Sequence, residues 1–236
     1  MQLIQQSKQE SLPKSKEINQ PQFFPYTNNQ GSCLGICGEK FAVLATDTRM
    51  SMGYSIVTRN ATKYLKLTDK CVLVSSGMQA DIETLHKILK ARLTIYQNQH
   101  QKPMSTPAIS HLLSRTLYYR RFFPLYTFNV LGGIDEDGKG CVFSYDAIGT
   151  LERVRYSASG SGSALIEPIL DNQVGFKNRG DITDKTGFLE EDEVVELAKD
   201  TLTSTCERDI FTGDFVHIFV VNENGVREEK FELRFD

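Results

Sequence analysis

The stretch Gly31-Ser32-Cys33-Leu34-Gly35-Ile36-Cys37-Gly38-Glu39-Lys40-Phe41-Ala42-Val43-Leu44-Ala45-Thr46-Asp47-Thr48-Arg49 constrains the fold more than any other part of the chain. It reads as strand, turn, strand. In the second arm Phe41, Val43 and Ala45 fall on one face and Ala42, Leu44 and Thr46 on the other, with Gly38 and Glu39 as the reversal. Few polar groups interrupt either face, which predicts that both are covered and that the hairpin is central to a layered fold. Asp47, Thr48 and Arg49 are polar groups delivered at a strand end, where side chains can do chemistry.

Upstream, residues 1–25 are rich in Gln, Lys, Ser and Pro, and their few apolar residues build no hydrophobic face. They read as a polar tail, and residues 26–236 as one domain. Downstream, Tyr54 to Thr58 and Lys63 to Leu67 have strand composition, and Asp69-Lys70 turns into the apolar run Cys71 to Ser75. Ile82, Leu85, Leu89, Leu93 and Tyr96, with Ile88 beside them, recur at helical spacing over residues 80–97. A second helix starts at Ser105 or Thr106 with Pro107 in its first turn, carries Ile109, Leu112, Leu113 and Leu117, and is expected to end at Pro124.

Tyr126 to Ile134 and Cys141 to Tyr145 are expected strands joined through Asp137-Gly138. Leu151 to Ala158 is expected to continue the sheet, and Ser159 to Ser163 to open a short helix. Residues 177–188 read as loop. Glu190 to Glu207 returns to helix, with Val195, Ala198, Leu202 and Cys206 on one side and an acidic first turn. Phe215 to Val221 and Val226 to Phe235 make a last hairpin about Asn224-Gly225. The order is strands, two helices, strands, two helices, strands. That is an α+β chain, and two antiparallel sheets stacked face to face between helix pairs satisfy it.

Composition removes several function classes. At 236 residues with 40% hydrophobic content the chain can bury a real core, and a net charge of -3 leaves no basic stripe for nucleic acid. No run of 18 apolar residues suggests a membrane span. The odd number of cysteines, Cys33, Cys37, Cys71, Cys141 and Cys206, lie mostly in apolar runs and read as reduced core thiols, which favours the cytoplasm or nucleus. His86, His100, His111 and His217 show no ligand spacing, so neither a metal nor a cofactor is expected. Gly160 and Gly162 lack the third glycine and the lysine of a phosphate loop. Arg120-Arg121 beside Phe122-Phe123 reads as a helix end, its arginines taken up by carbonyls and the helix dipole, rather than a stacking platform.

Gly31-Ser32-Cys33-Leu34 followed by Ala45-Thr46-Asp47-Thr48-Arg49 resembles the opening of a proteasome beta-type subunit. Gly77-Met78-Gln79-Ala80-Asp81, Arg120 to Pro124, Gly132 to Gly140 and Asp171 to Asn178 extend the likeness over roughly residues 26–234 and narrow it to the non-catalytic type-1 branch of the eukaryotic inner ring. The resemblance implies a four-layer αββα sandwich of the N-terminal nucleophile hydrolase fold. It also implies a leader that can be removed or retained, and assembly with other alpha and beta subunits into a 28-subunit stack of four seven-membered rings. Its role there would be to build the inner ring and a wall of a catalytic neighbour's substrate pocket, in ubiquitin-dependent protein degradation.

In active members of that family a threonine attacks with its own α-amine as base, a group that titrates near pH 8. By the family spacing from Asp47, that position is Gly31 here, which has no side chain. Asp47, Lys63, Ser161, Asp209 and Thr212 stand where the family has its supporting aspartate, lysine, serine, second aspartate and hydroxyl residue. This predicts a vestigial frame with no catalytic residue. The alternative is cleavage behind Gly31 to expose Ser32 as the nucleophile. Strand alternation opposes it, because Ser32 faces away from the side Gly31 presents. Cys33 returns to that side two residues deeper, as a small core residue.

Overall fold

The structure, a computed structural model, describes residues 24–181 and 187–235. Most of the expected tail over residues 1–25, and residues 182–186 of the expected loop, lie outside them. The strands before the first helices are β1 (Ser32–Cys37), β2 (Ala42–Asp47), β3 (Met50–Met52), β4 (Ser55–Thr58), β5 (Tyr64–Thr68) and β6 (Cys71–Gly77). Helices α1 (Gln79–His100) and α2 (Thr106–Tyr118) follow, then β7 (Thr127–Ile134), β8 (Gly140–Tyr145), β9 (Leu151–Val154) and β10 (Tyr156–Gly160). Helices α3 (Ser163–Gln173) and α4 (Glu191–Cys206) precede the closing hairpin of β11 (Phe215–Asn222) and β12 (Gly225–Glu232). This is the expected α+β order.

Among the described residues all pairing is antiparallel, in two five-stranded sheets, β10-β1-β2-β11-β12 and β5-β6-β7-β8-β9, with β3-β4 as a separate small hairpin. The central hairpin is buried at every position of β1 and β2, and its two faces enter different cores. Ala42 and Leu44 pack with Val72, Val74, Val130 and Val142 of the second sheet. Phe41, Val43 and Ala45 pack instead with Ile166 and Leu170 of α3 and Val195, Ala198 and Leu202 of α4. The far side of the second sheet packs Leu73, Leu131 and Phe143 against Leu85 and Leu89 of α1 and Ile109 and Leu113 of α2. The sheets approach closely at Gly35, where a Cβ would lie 2.7 Å from a Val130 methyl carbon.

Three expected boundaries are corrected. The run Leu151 to Ala158 does not continue one sheet: β9 pairs with β8 and β10 with β1, so the chain changes sheets at Arg155. Both halves look alike in sequence because each meets an antiparallel neighbour. Helix α2 ends at Tyr118, well before Pro124. Beyond it the amides of Arg120, Arg121 and Phe123 bond three residues back, and Tyr119 and Phe122 are exposed, so no packing holds a longer helix. Arg120 and Arg121 therefore follow the helix, and the Arg121 guanidinium lies 5.7 Å from the Phe122 ring centroid. In the last hairpin Asn222 pairs with Gly225, so the turn is Glu223-Asn224, closed by donation from Asn224 N to Asn222 Oδ1 at 3.0 Å.

Candidate functional site

The end of β2, the residue before β5 and the loop before β11 converge on Gly31. Asp47 and Lys63 are both buried there and form an ion pair, and Lys63 Nζ also donates to the Arg49 carbonyl at 2.9 Å. Asp47 accepts from the amides of Ser32 (2.9 Å) and Gly213 (3.3 Å). Burial pushes its carboxyl up, opposed by Lys63 and these amides. Gly31 sits against this pair at φ +89°, and a Cβ there would lie 2.0 Å from Lys63 Nζ and 2.8 Å from Asp47 Oδ1.

Ser161, Asp209 and Thr212 gather beside Ser32. The Thr212 hydroxyl donates to Asp209 Oδ2 at 2.7 Å, and the Ser161 hydroxyl donates to the same oxygen at 2.6 Å. Thr212 Oγ1 is 2.7 Å from Ser32 Oγ, and since its proton is spent on Asp209, Ser32 is the donor between them. Ser32 Oγ in turn accepts from the Gly162 amide at 2.9 Å. The Ser32 hydroxyl is thus buried and bonded in both directions, on the helix side of the sheet, while Lys63 lies on the Gly31 side. Ser161 also reaches the Gly31 carbonyl, through its amide at 3.0 Å. All six residues expected to make the frame therefore meet around Gly31 and Ser32, with the Asp47–Lys63 pair against Gly31 and Thr212 against the Ser32 hydroxyl.

The loop Ser159 to Ser163 leads into α3 with Gly162 as its N-cap, as expected of a helix start. All five cysteines are buried; Cys33 is fully enclosed between the sheets, where burial pushes its thiol up to about 12. His86 lies on α1 with Nε2 3.2 Å from Ser75 Oγ, and burial pushes its imidazole down to about 4. A depressed histidine stabilises the fold fully above its unfolded value near 6.5, and that contribution is lost as pH falls from there towards 4. His86→Gln is expected to remove about 1–2 kcal/mol of the stability lost between pH 6.5 and 5, read by urea unfolding at both pH values.

Two arrangements had no sequence signal. Asp214, fully buried at the start of the last hairpin, is gripped by Arg49 (3.0 and 3.2 Å) and by Arg59. Arg49 is therefore a structural tie between β2 and β11, and its place in the strand-end motif gave no hint of a partner 165 residues away. Asn29, two residues upstream of Gly31, is also buried and bonded to distant backbone.

The chain matches the family model described as "Proteasome subunit" over residues 27–221. It is 52% identical over 221 residues to proteasome subunit beta type-1 of Petunia hybrida, covering 92% of this chain and 98% of the relative. Proteasome subunit beta type-1 of Dictyostelium discoideum is 51% identical, with 94% of each chain covered, and that of Danio rerio is 46% identical, with 91% and 90% covered. On this family match and these identities, the chain belongs to the proteasome subunit family, as a beta-type subunit of the core particle similar to beta type-1.

Proposed function

We propose that this subunit is catalytically inactive and architectural. In this reading it occupies one place in a seven-membered inner beta ring of the eukaryotic 20S particle, within a stack of four such rings and 28 subunits, in cytoplasm and nucleus. There it builds the ring and lends a wall to the substrate pocket of a catalytic neighbour during ubiquitin-dependent degradation. The three cores, one between the sheets and one under each helix pair, are what a four-layer αββα sandwich of the N-terminal nucleophile hydrolase type requires.

The observation that carries the inactivity is Gly31, which turns only hydrogen towards the Asp47–Lys63 pair. Nucleophilic attack needs an oxygen or sulfur there. Ser32 does not supply one, because its hydroxyl is enclosed and engaged by Thr212 and Gly162. Asp47, Lys63, Ser161, Asp209 and Thr212 are then a retained frame with a folding role. Exposed aromatics support membership of an assembly: Tyr54 on the β3-β4 hairpin and Tyr119 and Phe122 after α2 are each more than four-fifths exposed, as expected of surfaces that partners cover.

The test is covalent. Whole particles are treated with a peptide electrophile that requires an amine and a hydroxyl on the same N-terminal residue, and each subunit is weighed intact. This chain is expected to keep its mass while catalytic neighbours gain the adduct. An adduct on Ser32 as the first residue would overturn the proposal.

A further inference from the structure

The turn after α2 carries a dense group of uncovered aromatic rings. Tyr118, Tyr119, Phe122 and Phe123 are all exposed, Tyr119 to 83% and Phe122 to 97%, and Arg120 and Arg121 stand between the two pairs. The backbone beneath them is fixed. Arg120 N donates to the Leu117 carbonyl at 2.9 Å, Arg121 N to that of Tyr118 at 3.0 Å and Phe123 N to that of Arg120 at 3.0 Å. Leu117 and Leu125 on either side are buried in the core of the second sheet, and the Pro124 carbonyl accepts from the Tyr26 hydroxyl at 2.7 Å. The rings are thus presented on a preorganised turn, and covering them costs little ordering of the chain. The arginines are not absorbed in the way the sequence predicts. Among the described residues neither guanidinium pairs with a carboxylate or donates to a carbonyl, and that of Arg121 lies only against the Phe122 ring.

Exposed aromatics at this density are a liability unless something covers them permanently. Aromatic rings and arginine are also what protein interfaces concentrate at their centres. Any face that covers Tyr119 and Phe122 covers the two arginines between them, and a guanidinium taken out of water without a counter-charge is costly. The covering face must therefore bring carboxylates, which a planar guanidinium grips through paired N–H donors. We infer that the turn over residues 118–123 is an interaction surface, and that its occupant is the face of another subunit of the particle, with Asp or Glu placed around an apolar recess. The inference rests on membership of the particle and not on the missing nucleophile at Gly31. A polypeptide passing as substrate fits less well, because it would leave Tyr119 and Phe122 in water between encounters.

The experiment uses whole particles. With p-benzoylphenylalanine in place of Phe122, irradiation is expected to join this chain to another subunit, close to an Asp or Glu of that subunit. In parent particles, hydroxyl radicals are expected to oxidise Tyr119 and Phe122 roughly tenfold or more slowly than in the dissociated chain, because the contact excludes water. A chain carrying both Arg120→Glu and Arg121→Glu, co-expressed with the parent, is expected to enter particles roughly tenfold less often, since like charges then face each other across the contact. Arg120→Gln with Arg121→Gln is expected to fall between the two. Cross-links that are absent, confined to this chain, formed with a segment lacking carboxylates, or formed only with an added acidic polypeptide would each overturn the inference. So would Tyr119 and Phe122 that oxidise equally fast in the particle, or a charge-reversed chain that enters as often as the parent. If the charge-reversed chain is lost before assembly, cross-linking and oxidation still decide with both arginines in place. None of these readouts depends on whether the chain is catalytic, which the covalent test decides separately.

Discussion

Gly31→Thr, the change that restores the family's attacking residue in name, is expected to destabilise this chain and to hydrolyse nothing. Gly31 holds φ +89°, a conformation that costs a β-branched residue about 1–3 kcal/mol. The new Cβ would also fall 2.0 Å from Lys63 Nζ, so the lysine must move off Asp47 or the strand must shift. Together these predict a loss of at least about 2 kcal/mol, which in a chain of this size lowers the melting temperature by roughly 4–8 °C. Gly31→Ala separates the causes, since it brings the same Cβ without the hydroxyl and is expected to cost nearly as much.

The hydroxyl gains no activity because its base would be the α-amine of the same residue, and with Gln30 still attached that nitrogen is an amide with no proton affinity near neutral pH. The measurement is peptide turnover in particles whose catalytic neighbours have been inactivated by substitution. Turnover by a Gly31→Thr chain that still carries residues 24–30 would mean that a free amine is not required, and that barrier would have to be abandoned.

How much of this was legible beforehand follows from the range over which each signal acts. The alternation in Phe41 to Thr46 announced a strand covered on both faces, and those faces do enter different cores. The helical stripes of α1 and α4 name their buried residues for the same reason: burial of one face imposes its period on the sequence. The sheet change at Arg155 left no trace, since Leu151 to Val154 and Tyr156 to Gly160 each need only strand-forming residues whichever sheet they join. The Ser32-Thr212-Asp209-Ser161 chain of hydrogen bonds was half legible. Strand alternation placed Ser32 opposite the Gly31 side, but what waited there depended on residues about 130 and 180 positions away. Asn29 was illegible in principle, because a polar residue in the run Asn28-Asn29-Gln30-Gly31 reads as a turn, and the helix it caps begins 50 residues later.

The retained frame itself can be put to the test by Lys63→Met, which keeps the length of the buried stem and removes only the ammonium. Asp47 would then keep two amide donors, Ser32 and Gly213, and lose its counter-charge in a site with no solvent access. Breaking one side of such a pair costs about 3–5 kcal/mol, against a whole-domain stability of about 5–15 kcal/mol. The pH dependence gives a sign that a simple packing defect would not. Burial already pushes the Asp47 carboxyl up, and removing Lys63 deletes the main influence that pulls it down, so the folded variant holds the Asp47 proton more tightly than the unfolded chain does. Stability from such a raised carboxyl is fully present below the unfolded value near 4 and is lost as pH rises through the folded value. Lys63→Met is therefore expected to lie closest to the parent in acid and furthest from it at pH 7 to 8, as measured by urea unfolding across that range. Adding Asp47→Asn to Lys63→Met removes the buried charge, so the double variant is expected to fall short of the sum of the single losses and to show a flatter pH profile. A Lys63→Met chain as stable as the parent at neutral pH would mean that the pair contributes nothing to folding, and a subunit without a nucleophile would then have no physical reason to keep either residue.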